Sequence, residues 1–246
     1  MKRENSLTFR NALICAAAAV LVFLLIAPAS ASAASKARFT YKKVDQSKTY
    51  YNVIEFQNYF KYPKLKGKSK AVKKINSTLK NEANAFVVSV YRNYSEDDIA
   101  EYAKSVADSG YTDPFINTAS GKVTYNKKGV ISIRYSKNWY LGGVYQADTF
   151  GDTFSLKTGK RLRVLSVVAK KYAKAGKLRK AIASKLRSKY GYDVQSSFNT
   201  RYAANKDLKN VAFYLSKKGK VVVCFPKYDI AAGYMGALTV TLPSKF

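Results

Sequence analysis

The chain has 246 residues, with 44 Lys+Arg against 15 Asp+Glu, a net charge of +29, two cysteines and no histidine. Without histidine, Ser-His-Asp and Cys-His catalysis and the usual zinc and haem ligand sets are excluded. The length suffices for one medium domain or two small ones with a real core, and the charge implies an anionic partner.

The first 33 residues have the order of a signal peptide: Lys2, Arg3 and Arg10, then a nearly all-apolar run from Ala12 to Ala27, then "ASASAAS". Small residues at the −3 and −1 positions fit cleavage after Ala31 or Ala33. Cys15 follows Leu13 and Ile14, not the small residues a lipoprotein cysteine needs, and leaves with the leader. Three basic and one acidic residue leave too, so the remainder carries +27. An exported protein of this charge meets anionic cell-wall polymer or an anionic membrane surface, not nucleic acid, and the expected location is extracellular and cell-wall-associated. A merely solvated basic surface would give the same composition.

Residues 34–48 read as a short linker entering a first strand, and "TYYNVIEFQNYFKYPKL" as a second. In the next segment Val72, Ile75, Leu79, Ala83, Phe86, Val87 and Val90 recur at three- and four-residue steps, which predicts an amphipathic core helix. "SEDD" at 95–98 could be an acidic metal cluster, but Ser95 with Asp98 three residues later fits a capping box, so no metal site is expected. "NST" and "NYS" match the glycosylation pattern, yet the first lies inside the predicted helix.

Alternating strands follow in "KVTYNKKGVISIRYSKNWYL", "VYQADTFGDTFSL" and "KRLRVL", punctuated by "NKKG", "LGG" and "KTGK", an antiparallel meander. Gly142 and Gly143 supply the positive φ of a tight turn, and "GGVYQADTFG" lacks phosphate-loop spacing. Asp148 and Asp152 stand four apart, as a glycosidase pair or calcium site could, but turn hydrogen bonding explains them more simply.

A second amphipathic helix is predicted from Ser166 to Tyr190, with Val168, Tyr172, Leu178, Ile182 and Leu186 on one side. Its other faces carry Lys170, Lys171, Lys174, Lys177, Arg179, Lys180, Lys185, Arg187 and Lys189, the candidate polyanion-binding residues. The chain closes with a hairpin turning at "KKGK" and a last strand, and Cys224 in "VVVCFP" reads as a buried core thiol. Twenty tyrosines among lysines could stack sugars, although tyrosine is also ordinary on a half-buried sheet. The block order of strands and helices predicts an α+β fold, an antiparallel sheet with amphipathic helices packed on it. No catalytic residue and no cofactor are expected.

Three stretches, "YFKYPKLKGKSKAVKKINSTLKNEA", "VTYNKKGVISIRYSKNWYLGGVYQADTFGDTFSLKTGKRLRVLSVV" and "FYLSKKGKVVVCFPKYDIAAGYMGALTVTLP", resemble the extracytoplasmic domain of RsiV-type anti-sigma factors. That domain of unknown function also occurs beside peptidoglycan deacetylases. The resemblance extends over most of residues 49–246 and implies an α+β binding module of a Gram-positive-type envelope. It also implies lysozyme as an alternative partner, with Glu96, Asp97, Asp98 and Glu101 as the acidic contact, since +27 would oppose a basic protein elsewhere. Relatives often carry Gly-Gly-Ala-His where Gly142 to Tyr145 stand, and aspartate where Ser155 stands. The family hairpin loop therefore keeps Gly142 and Gly143 but has Tyr145 in the histidine position. Only eleven residues precede the apolar run, so the extracytoplasmic module alone is expected. A carboxylate-driven glycan hydrolase built on Asp148 and Asp152 is the third functional reading.

Overall fold

Regular apolar alternation generates the first long strand of the computed structural model, which describes residues 36–52, 54–204 and 207–246. In β3 (Ile54–Leu65), Ile54, Phe56, Asn58, Phe60 and Tyr62 point to one buried face. β1 (Phe39–Asp45) and β2 (Lys48–Tyr50) pair antiparallel with successive parts of β3 along one edge. The leader predicted for the first 33 residues lies outside the described residues.

The predicted core helix is α1 (Lys70–Ser89), capped by Ser69, which buries Ala71, Ile75, Leu79, Ala83 and Val87. Ile75, Leu79, Ala83 and Val87 pack on Phe60, Tyr62 and Leu65 of β3 and on Ile131, Ile133, Tyr135 and Phe154 beyond it. Asn76 is committed to the Leu65 backbone, accepting from its N–H at 2.8 Å and donating to its carbonyl at 2.9 Å. α2 (Glu96–Asp108) starts at the expected capping box: Asp98 N–H donates to Ser95 Oγ at 3.0 Å, and Ser95 N–H to Asp98 Oδ2 at 2.7 Å.

β4 (Phe115–Lys127), β5 (Val130–Tyr140) and β6 (Gln146–Ser155) form the expected antiparallel meander. The β4–β5 turn is a two-residue loop in which Lys128 and Gly129 both have positive φ, 51° and 71°. One pairing departs from the sequence expectation: β3 and β4 are parallel, joined through α1 and α2, so the six-stranded sheet is mixed. Asn58 and Asn117 face each other in this register, both buried; Asn117 donates to Asn58 Oδ1 at 2.9 Å, and Asn58 donates to the Val87 carbonyl at 2.9 Å.

The second helix is shorter than its periodicity suggests. Residues 167–169 pair instead with the chain end: Ala169 N–H donates to Pro243 O at 2.9 Å and Lys245 N–H to Val167 O at 3.0 Å. α3 runs only from Ala175 to Tyr190, and Gly191, at φ 96°, leads into α4 (Tyr192–Arg201). The predicted strand "KRLRVL" reduces to a single bridge between Arg161 and Phe154. β7 (Phe213–Leu215), β8 (Val221–Phe225) and β9 (Leu238–Leu242) make a three-stranded antiparallel sheet that shares its core with α3 and α4.

The two sheets meet where side chains are smallest. A Cβ on Gly151 of β6 would lie 2.6 Å from Tyr214 Cβ and 2.8 Å from the Phe213 carbonyl. Beside it the buried Ser132 hydroxyl accepts from Leu215 N–H at 2.8 Å and lies 2.8 Å from Thr153 Oγ1. Cys224 on β8 is 1% exposed, and burial pushes its thiol up to about 12.

Candidate functional site

The basic residues predicted on one helix are distributed over a short helical turn and α3. Lys170 and Lys171 lie in that turn, Lys174 immediately precedes α3, and the other six are on α3 itself. Leu178, Ile182, Ala183 and Leu186 face the core, which turns the cations outward. Eight of the nine are exposed and Arg179 is half-buried. Among the described residues none of the nine is ion-paired to a carboxylate. Arg179 is positioned by donating to the Ala203 carbonyl just after α4, and Lys189 donates to Thr239 O at 3.2 Å. Arg187 and Lys189 fall in the last turn, where cations complement the helix dipole.

Between α3 and α4 runs a groove of about 440 Å³ lined by Arg179, Lys180, Ser184, Gln195 and Asn199. Its wall joins two cations to neutral hydrogen-bonding groups, a combination that suits phosphate or carboxylate oxygens. Gln195 and Asn199 escaped sequence reasoning because α4 is short and only weakly amphipathic.

Asp148 and Asp152 are each engaged by a different partner. Asp148 Oδ1 accepts from the Lys227 backbone N–H at 2.7 Å, tying β6 to the segment after β8. Asp152, 13% exposed, receives Arg161 Nε at 3.0 Å, and the same guanidinium also pairs with Glu82 of α1. Burial raises Asp152 to about 6 even though Arg161 opposes the rise. Nearby, the Tyr135 hydroxyl is buried without a hydrogen-bond partner among the described residues, and burial followed by the Asp152 charge raises its pKa well above the usual phenol value. A cleft of about 560 Å³ opens at Asp152 and Arg161 and is further lined by Arg163 and Lys209. The partners in this cluster are far apart in sequence, so no local pattern revealed it.

The family hairpin loop lies at the opposite end of β6 from Ser155. Gly142 has φ 76°, whereas Gly143 does not take the positive φ expected of it. Tyr102 of α2 lies directly against Gly142. Tyr145 is 48% exposed, and its carbonyl accepts from Lys227 Nζ at 3.2 Å. Positions 145 and 155 are separated by the length of β6, roughly 30 Å, so the family's histidine and aspartate positions form no joint site here. Ser155 instead closes its own turn, accepting from Thr158 N–H at 3.3 Å.

Comparison with known proteins divides the chain in two. Residues 45–144 match the family model described as Deacetylase PdaC, and residues 166–245 match the model described as Protein of unknown function (DUF3298). No curated protein matches. A solved member of the DUF3298 family from Bacteroides fragilis NCTC 9343 superposes with a TM-score of 0.55 at 16% identity, covering 85% of this chain and 92% of that one. A DUF3298 family protein from Pseudomonas aeruginosa PAO1 gives 0.48 at 15% identity, covering 84% and 91%. The fold is therefore the one seen in the Bacteroides protein, and the chain is similar to PdaC over residues 45–144 and to the DUF3298 family, of unknown function, over residues 166–245.

Proposed function

We propose that the protein is an extracytoplasmic, non-catalytic binding domain that holds anionic envelope polymer on α3 and the α3–α4 groove. The observation that carries this reading is the row of basic side chains that are outward-facing and free of carboxylate partners among the described residues. The leader-like first 33 residues and the resemblance to RsiV-type domains support an envelope setting. A polymer suits α3 better than insertion into a bilayer, because Leu178, Ile182 and Leu186 are fully buried and unavailable to lipid.

Retention on purified cell walls tests the reading. Binding should weaken steeply with salt and with removal of teichoic acid, because each neutralised anion releases a counterion. Replacing Lys177, Lys180 and Lys185 with glutamine should lower the salt dependence together with the affinity. Retention indifferent to salt and to these three residues would sink the proposal.

A further inference from the structure

We propose that a second groove, formed by α2 and the β5–β6 loop, binds glycan carrying protonated amino sugars. Two adjoining recesses of about 230 and 330 Å³ share Tyr102 and Phe115 as a common wall. Tyr94 lines the first recess, and Tyr111 and Tyr140 the second. Two of these rings are held by stacking, Tyr102 on Phe115 at 5.4 Å and Tyr94 on Trp139 at 6.1 Å. Tyr94, Tyr102 and Tyr111 are nevertheless 43%, 41% and 65% exposed. Fixed, half-exposed aromatic rings are suited to the C–H faces of sugar rings and to cations above them.

Charge selects among sugars. Asp98 lines the first recess and Asp113 the second, and residues 96–113 hold six carboxylates, of which Glu96 and Asp108 are paired with Lys48 and Lys104, in a chain of net +29. The Ser95 hydroxyl and backbone N–H hold Asp98 below the usual carboxylate range, so it stays charged. An ammonium group on the sugar is complementary to this groove, whereas the rest of the surface repels it. The site is independent of the α3 proposal, which concerns anions and different residues.

Trp139 is the chain's single tryptophan and stacks on Tyr94, so its fluorescence reports this groove specifically. The full chain would be titrated with a hexamer of unsubstituted glucosamine and with its N-acetylated counterpart, at mildly acidic pH and low salt. The unsubstituted hexamer should perturb Trp139 and bind at least about tenfold more tightly, the worth of one charge-assisted contact. Asp113→Asn and Tyr111→Ala, both at exposed positions, should each weaken it about fivefold or more, while glutamine at Lys180 and Lys185 should not. Equal affinity for the two hexamers, no response to either, or unaffected groove variants would overturn the proposal. So would capture of lysozyme through Glu96, Asp97 and Glu101 by a groove that ignores the glucosamine hexamer.

Discussion

Tyr102 occupies the space that any side chain on Gly142 would need, so α2 and the β5–β6 loop touch through a ring against bare backbone. Gly142→Ala should therefore cost stability twice, through φ 76° and through overlap with the ring, in all about 2–4 kcal/mol. In a Tyr102→Ser background only the backbone part should remain, about 1–2 kcal/mol. Denaturant melts of the four proteins in this cycle measure the difference directly.

Asp152 gives stability a definite pH dependence. Its native pKa of about 6 lies above the unfolded value of about 3.9, so the native state holds the proton more firmly. Its contribution is fully favourable below the unfolded value, declines as pH rises through the native one, and is flat beyond it. Relative to Asp152→Asn, the wild type should lose about 2–3 kcal/mol over that window. Urea melts at a series of pH values would show a constant difference if the carboxyl is not perturbed.

Ser132 is the polar rivet between the two sheets. Ser132→Ala leaves the Leu215 N–H buried without an acceptor and should destabilise by about 1–3 kcal/mol. Gly151→Ala, which drives a methyl into the Phe213 carbonyl, should cost as much or more. Amide exchange should locate the loss: Leu215 is expected to lose protection in both variants.

Asn58 and Asn117 meet across the parallel β3–β4 register. Asn58→Ala strands both the Val87 carbonyl and the Asn117 amide, and should cost about 2–4 kcal/mol. Replacing both asparagines with leucine should cost less than the sum of the single losses, because no unpaired amide remains between the strands. Thermal melts of the two single variants and the double variant decide this.

Local signals were legible and long-range ones were not. The spacing of Ile75, Leu79 and Ala83 determines α1 because one turn of helix repeats it, and Ser95 with Asp98 marks the start of α2 within four residues. Val168 continues a helical spacing toward Leu178, yet its partner is Ser244, so α3 begins nine residues after Ser166. The parallel β3–β4 pair was equally hidden, since strand direction depends on how α1 and α2 return the chain. The cations of α3 could be read from sequence alone, but the acceptor of Arg179 and the clamp of Arg161 on Glu82 and Asp152 required tertiary structure.

The burial of Cys224 makes the protein its own clock. The thiolate that reacts with disulfide reagents is scarce for a thiol held near 12, and Cys224 is buried on the face of β8 opposite Val221, Val223 and Phe225. Modification at this position must wait for what covers that face of β8 to move away. The labelling rate thus counts how often the contact between the small sheet and the large one opens, at a position distant in sequence from both proposed binding grooves.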